Sequence, residues 1–239
     1  RFCDVWFFYE VDDGDPAELD VLTGLLQDVQ SGKAGYSDVE AAFDMDSLLQ
    51  YYALNLYLSN TDWPHNNVRI WRCTGETIDG ISVTDNKWRF SLRDMDFTMG
   101  RYDCLVLPEI DPSADVDTFR RCLGNYWDED YDDLYPDSLL LQGLLDCCLQ
   151  NEGFRTAFAD YCRSLATDAN RDLLLSIIDT AAADIRSEIP YHLERWAGTF
   201  DGSYTAENWE TQVENMKTFV HDRPGHFLAQ LDAAMARYE

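Results

Sequence analysis

Positive charge is scarce in this chain. Its 239 residues carry 18 Lys and Arg against 45 Asp and Glu, a formal net charge of -27. Lysine occurs only as Lys33, Lys87 and Lys217. So strong a polyanion repels other polyanions, which argues against nucleic acid or an anionic membrane as partner. Metal ions, basic protein segments or solubility alone remain as uses for the acidic surface. Long apolar runs are missing too: no stretch of about 18 apolar residues exists to span a membrane. Neither Gly-x-Gly-x-x-Gly nor Gly-x4-Gly-Lys-Ser/Thr occurs, so no dinucleotide turn or P-loop phosphate cradle is visible. His65, His192, His221 and His226 lack the spacing of a zinc protease. The cysteines, Cys3, Cys73, Cys104, Cys122, Cys147, Cys148 and Cys162, include no Cys-x-x-Cys pair. They read as buried reduced thiols, with one or two disulfides as the alternative.

What is present is enough apolar material for a globule. The hydrophobic fraction is 46% and the aromatic fraction 13%, which separates this chain from a disordered acidic tail. Its length suits one large domain or two small ones, and with no linker in view we read residues 1–239 as one. The opening residues 2–11, with Val5-Trp6-Phe7-Phe8-Tyr9 at their centre, read as a buried strand. A strand so near Arg1 and without a visible partner is expected of a fragment or processed form, in which residues 1–12 connect to an upstream region. Pro16 suits the first position of a helix whose stripe is Leu19, Leu22, Leu25, Leu26 and Val29, ended by Gly32 and Gly35. A second helix from Asp46 or Ser47 runs to about Ser59. Val68–Arg72 and Trp88–Leu92 alternate as strands of a hairpin. Beyond Gly100 the chain turns irregular and acidic through Asp128–Asp133. Helical spacing then returns over Leu139–Leu149, Gly153–Leu165, Arg171–Ile189 and Glu207–Ala236. The fold class expected is mainly α (α+β), with a small β-hairpin.

That hairpin frames the chemically informative residues. Asn60-Thr61-Asp62-Trp63-Pro64-His65-Asn66-Asn67 precedes its first strand, and Arg93-Asp94-Met95-Asp96-Phe97 follows its second. Both ends of a hairpin reach the same side, so the polar groups can converge. An Asp, an Asn five residues later and an Asp beyond a following strand is the order used in phosphoryl transfer. In that reading Asp62 orients the attacking hydroxyl, Asn67 offers a neutral oxygen to magnesium, and Asp94 offers a charged one. Asp96 lies two residues from Asp94, on the same side if that segment is extended. Pro64 restricts the loop through its fixed φ. The same residues also suit turn caps. His65 reads as a loop residue, and Trp63, Trp71 and Trp88 read as core, not as a nucleotide platform.

These residues carry a resemblance to the spore coat protein H (CotH) kinase family, an atypical branch with a protein-kinase-like fold. The matching stretches are Tyr51–Asn67, Lys87–Gly100, and a tail in which Asn151–Arg155, Ile185–Trp196, Trp209 and Phe219–Pro224 follow in order. The resemblance implies a chain similar to the C-terminal lobe of a protein kinase, using ATP with Mg2+ or Mn2+ to phosphorylate protein Ser or Thr. It implies Asp62 as the catalytic-loop Asp, Asn67 as metal-binding Asn, Asp94 as the residue bridging metal and phosphates, and Asp96 in the same motif. The partner it implies is a protein substrate, a spore-coat or cell-surface protein with a basic Ser/Thr segment. The implied location is a spore coat or the secreted compartment. The chain departs from the pattern in one respect. Most of an N-terminal lobe, with its phosphate-contacting Lys on an early strand, is missing, so half a site is expected here. A non-catalytic assembly module of a coat or surface complex, and a small-molecule or sugar phosphotransferase, stay open as alternatives.

Overall fold

Pro16 precedes the first helix, α1 (Ala17–Gln30), where its fixed φ costs nothing, and Leu22, Leu26 and Val29 are the residues that α1 buries. The structure, a computed structural model, describes residues 2–6, 10–64, 66–99, 113–123, 136–197 and 205–239. Of the sequence expectations, His65, Gly100, Cys104 and the acidic run Asp128–Asp133 lie outside the described residues.

The opening segment is two strands, not one. β1 (Phe2–Trp6) pairs antiparallel with β2 (Glu10–Asp13) on one side and with β3 (Arg69–Cys73) on the other. The expectation of a partnerless opening strand is therefore corrected, and the hairpin foreseen at Val68–Leu92 is half of a four-stranded sheet of order β2-β1-β3-β4. The return at Glu10 was not legible, because Val5–Tyr9 is a continuous apolar run without a break.

In β3 and β4 (Arg89–Ser91) the register sets Ile70 opposite Phe90 and Trp71 opposite Arg89. Ile70 and Phe90 are buried. Phe90 stacks on Tyr51 at 4.5 Å and on Phe43 at 5.9 Å between ring centroids. Tyr51 belongs to α3 (Met45–Tyr57), capped by Asp44, whose Oδ1 accepts the Ser47 N–H at 3.0 Å. A short helix not expected from the sequence, α2 (Tyr36–Ala42), leads into α3. Their junction is tied to the sheet through Trp88, whose N–H donates to Ala42 O at 2.8 Å and whose carbonyl accepts from Asp44 N at 2.9 Å. On the sheet, Arg89 bridges Asp85 and Asp44, and Arg72 pairs with Glu18 of α1 and lies 4.4 Å over the Trp88 ring. Trp63 and Trp88 are core residues, as expected, while Trp71 is half-buried.

A further unexpected helix, α4 (Thr118–Leu123), falls in the stretch read as irregular. The helical body then runs α5 (Pro136–Leu149), α6 (Glu152–Leu165), α7 (Asp168–Ile185), α8 (Ile189–Arg195) and α9 (Ala206–Met235). The helix expected over Arg171–Ile189 breaks at Ile185 and restarts so that Pro190 sits in a first turn. A proline without an N–H is tolerated there and not in a helix interior. Tyr52 joins this body to α3, its hydroxyl donating to Leu141 O at 2.7 Å in the buried interior. Cys122, Cys148 and Cys162 are buried free thiols, and Cys73 and Cys147 are half-buried and free. Burial pushes the Cys122 thiol up to about 12. Among the described residues no helix is long and apolar enough to cross a membrane.

Candidate active site

The loop that follows α3 is fixed from below by aromatic packing and from behind by buried arginines. Trp63, 1% exposed, packs edge-on against Tyr51 and Tyr52 with centroids 6.0 and 5.5 Å away. The Trp63–Pro64 peptide is cis. An α-helix leaves its last carbonyls without partners, and here they are met partly by the chain that follows and partly by α4 and α9. Leu58 N–H caps Leu54 O, and Asn60 N–H bonds Asn55 O at 3.0 Å. Thr118 Oγ1 donates to Leu56 O at 2.9 Å, and Arg223, buried within α9, donates to Leu56 O at 2.8 Å and to Tyr57 O at 2.9 Å. Arg121 donates to Asn60 O at 2.7 Å.

On this base Asp62 and Asn67 meet directly. The Asn67 carboxamide donates to Asp62 Oδ2 at 2.6 Å, and Asn66 donates to the same oxygen at 3.0 Å. Asp62 is half-buried and Asn67 is 8% exposed. Since Asn67 spends its Nδ2 on Asp62, its Oδ1 is the oxygen turned the other way.

The second loop is attached to the first. Met99 N–H donates to Leu58 O at 2.9 Å, and the Thr61 N–H and hydroxyl both donate to Phe97 O, at 2.9 and 3.1 Å. Asp94 and Asp96 lie on this loop, both exposed, at the start and within a 3-10 turn (Met95–Phe97). The ladder pair Arg69↔Ser91 sits where the two segments leave the sheet. Asn67 and Asp94 are two and three residues from that shared pair, within roughly 7 and 11 Å of it at about 3.6 Å per residue. So Asp62 and Asn67 are in contact, and the turn bearing Asp94 and Asp96 is docked beside them. Because that turn is 3-10 and not extended, the expectation that Asp94 and Asp96 share a side through strand alternation does not apply.

Backbone strain concentrates at the same place. Among the described residues five that are not glycine have positive φ, and four of them, Ser59, Asn67, Asp94 and Met99, belong to these two loops. Each such residue costs about 1–3 kcal/mol, and such strain gathers where function demands a particular geometry.

The oxygen donors available suit a hard cation. Asn67 Oδ1 is neutral, and Asp94 and Asp96 are carboxylates facing solvent. Mg2+ and Mn2+ take such ligands and usually complete their shells with water and substrate phosphate. Among the described residues no group of three or more His, Cys, Asp or Glu is assembled as a cage, and a phosphate-shared ion does not require one. The lysines are engaged elsewhere: Lys33 with Asp28, Lys87 with Glu40 O, and Lys217 with Asp179 and Glu214.

Sequence reading missed Asn60, Thr61, Thr118, Arg121 and Arg223. The signal for Arg223 was legible in principle. Val220, Arg223, Phe227 and Leu231 share one stripe of α9, so a charged residue stood at a core position.

A mainly helical domain, whose small antiparallel sheet presents a bonded Asp–Asn pair beside a second acidic turn, is the class that fold and site define. Within that class the chain belongs to the CotH kinase family: the family model described as CotH kinase protein matches residues 6–227. No curated protein and no solved structure matches the chain.

Proposed function

We propose that this domain transfers the γ-phosphoryl group of ATP to Ser or Thr of a protein, with Mg2+ or Mn2+. The observation that carries the reading is the 2.6 Å bond from Asn67 Nδ2 to Asp62 Oδ2. It ties the residue assigned to the acceptor hydroxyl to one that would hold the metal. Asp62 Oδ2 accepts from two amide donors, which orient the carboxylate that is assigned to the incoming hydroxyl. Asp62 holds that hydroxyl in line with the phosphoryl group and accepts its proton as the new O–P bond forms and the bond to the departing ADP breaks. Asn67 Oδ1 and the Asp94 carboxylate are assigned to the metal, with Asp96 beside them. When bound, the ion neutralises charge developing on the phosphate oxygens. Positioning and charge neutralisation are most of what phosphoryl transfer asks of a protein, and a rigidly anchored loop supplies the first.

The helical body is read as similar to the C-terminal lobe of a protein kinase, and residues 1–239 as that portion of a CotH-like domain. The acidic surface favours a basic Ser/Thr-containing segment as acceptor, as on a coat or surface protein.

The test is transfer of labelled phosphate from ATP to basic Ser/Thr peptides, with Mg2+ or Mn2+, by the protein and by Asp62→Asn. Loss of about 10²-fold or more in rate is expected. Undiminished transfer in Asp62→Asn removes Asp62 from the mechanism.

A further inference from the structure

Asn60, just past the end of α3, is 1% exposed, and so is Asn55 within the helix. A buried carboxamide is costly unless its groups are bonded, and these two are bonded in a single direction. Asn55 Nδ2 donates to Tyr51 O at 2.9 Å, and Asn60 Nδ2 donates to Asn55 Oδ1 at 2.9 Å. The Asp62 N–H then donates to Asn60 Oδ1 at 3.1 Å. Each acceptor along this run is fixed by the donor before it, so neither carboxamide can flip without setting like groups face to face. The second hydrogen of Asn60 Nδ2 points at Met95 Sδ, 3.5 Å away. Met95 is the residue between Asp94 and Asp96. The Asn60 carbonyl is held as well, by Arg121.

We infer that Asn60 is a positioning residue that sets the spacing between Asp62 and the Asp94–Asp96 turn. This rests on the kinase reading of the site. One side chain contacts the backbone of Asp62 through its oxygen and the centre of the acidic turn through its nitrogen, and its orientation is dictated from within α3. Thr61 bonds the rear of the same turn at Phe97 O, so removing the Asn60 contact loosens the turn at its centre while its rear anchor stays in place. A metal–nucleotide complex that must touch both Asn67 and Asp94 then meets a site with variable spacing, and its affinity falls.

The test is calorimetric titration of the protein, Asn60→Ala, Met95→Ala and Leu26→Ala with Mn2+ and ATP, at a temperature where each is folded by circular dichroism. Leu26 is a core residue of α1 and serves as a control for loss of stability alone. Asn60→Ala is expected to weaken Mn–ATP binding by about ten-fold or more, as removal of groups that orient metal ligands does. Leu26→Ala, though less stable, keeps the parent affinity. Should Asn60→Ala fail to fold, the half-buried Met95→Ala carries the test, with several-fold weakening expected. If the parent protein binds and both site variants bind equally well, Asn60 is only structural and the inference is overturned. If the parent protein itself shows no saturable binding, the kinase reading falls and this inference falls with it.

Discussion

Replacing Arg223 by alanine asks whether the loop bearing Asp62 is held in place from the far end of the chain. The guanidinium is 0% exposed. Besides Leu56 O and Tyr57 O, it donates to Ala114 O and Val116 O at 2.9 Å each and to Thr118 Oγ1 at 2.7 Å. Burial, and then the nearby Arg121, press its pKa down to about 9, which leaves it a cation at neutral pH. In Arg223→Ala, Leu56 O keeps its bond from Thr118 Oγ1, whereas Tyr57 O, Ala114 O and Val116 O each lose the guanidinium. A buried acceptor left without a donor costs about 1–3 kcal/mol. Three of them bracket the loss at roughly 3–9 kcal/mol, and water entering the vacated volume moves the figure towards the low end. About 4 kcal/mol is therefore expected, in line with the roughly 3–5 kcal/mol for breaking a buried charged network. Urea unfolding followed by tryptophan fluorescence is the assay. With an m-value of about 3 kcal/mol per M, the midpoint should fall by more than about 1 M. Arg223→Lys keeps the charge but not the planar fork, so its midpoint should lie between the two. A midpoint within about 0.3 M of the parent in Arg223→Ala would refute the reasoning, because it would mean the carbonyls at the end of α3 are satisfied without this side chain.

Two further perturbations probe the frame around the site. Asp85 accepts from both Arg89 terminal nitrogens at 2.9 Å, and that pairing, above all its hydrogen bonding, lowers the Asp85 pKa. A carboxyl depressed on folding stabilises above its unfolded pKa and ceases to as pH falls through the folded value. The gap in Tm between the protein and Asp85→Asn should therefore be full above about pH 5 and shrink progressively as pH falls below the unfolded carboxylate range; a gap that does not shrink in acid contradicts the pairing. Tyr52→Phe removes only the hydroxyl that donates to Leu141 O at 2.7 Å and should cost about 1–2 kcal/mol in urea unfolding, whereas no change would mean α3 and α5 are not joined there.

The longer helices and the five-residue spacing of Asp62 and Asn67 were legible because each is written locally. Leu22, Leu26 and Val29 repeat at helical spacing, and Asp62 and Asn67 lie five residues apart in one turn. The pairing of β1 with β3 was not legible, because Asp4 meets Trp71 across a long stretch of chain and alternation says nothing about which strand is the neighbour. Anchoring of the site escaped notice for the same reason. Asn60, Arg121 and Arg223 are common residue types, and only the fold brings an arginine of α9 onto the last turn of α3. What the sequence did carry was an anomaly, a charge on the stripe Val220, Arg223, Phe227, Leu231. A charge at a core position is expensive enough to require a built set of acceptors, and the acceptors an apolar interior can offer are backbone carbonyls at helix ends. Such an arginine therefore predicts that some helix ends against it. Here that helix is α3, whose end opens into the loop of Asp62, so the same interaction that lets Arg223 be buried also holds the candidate catalytic loop.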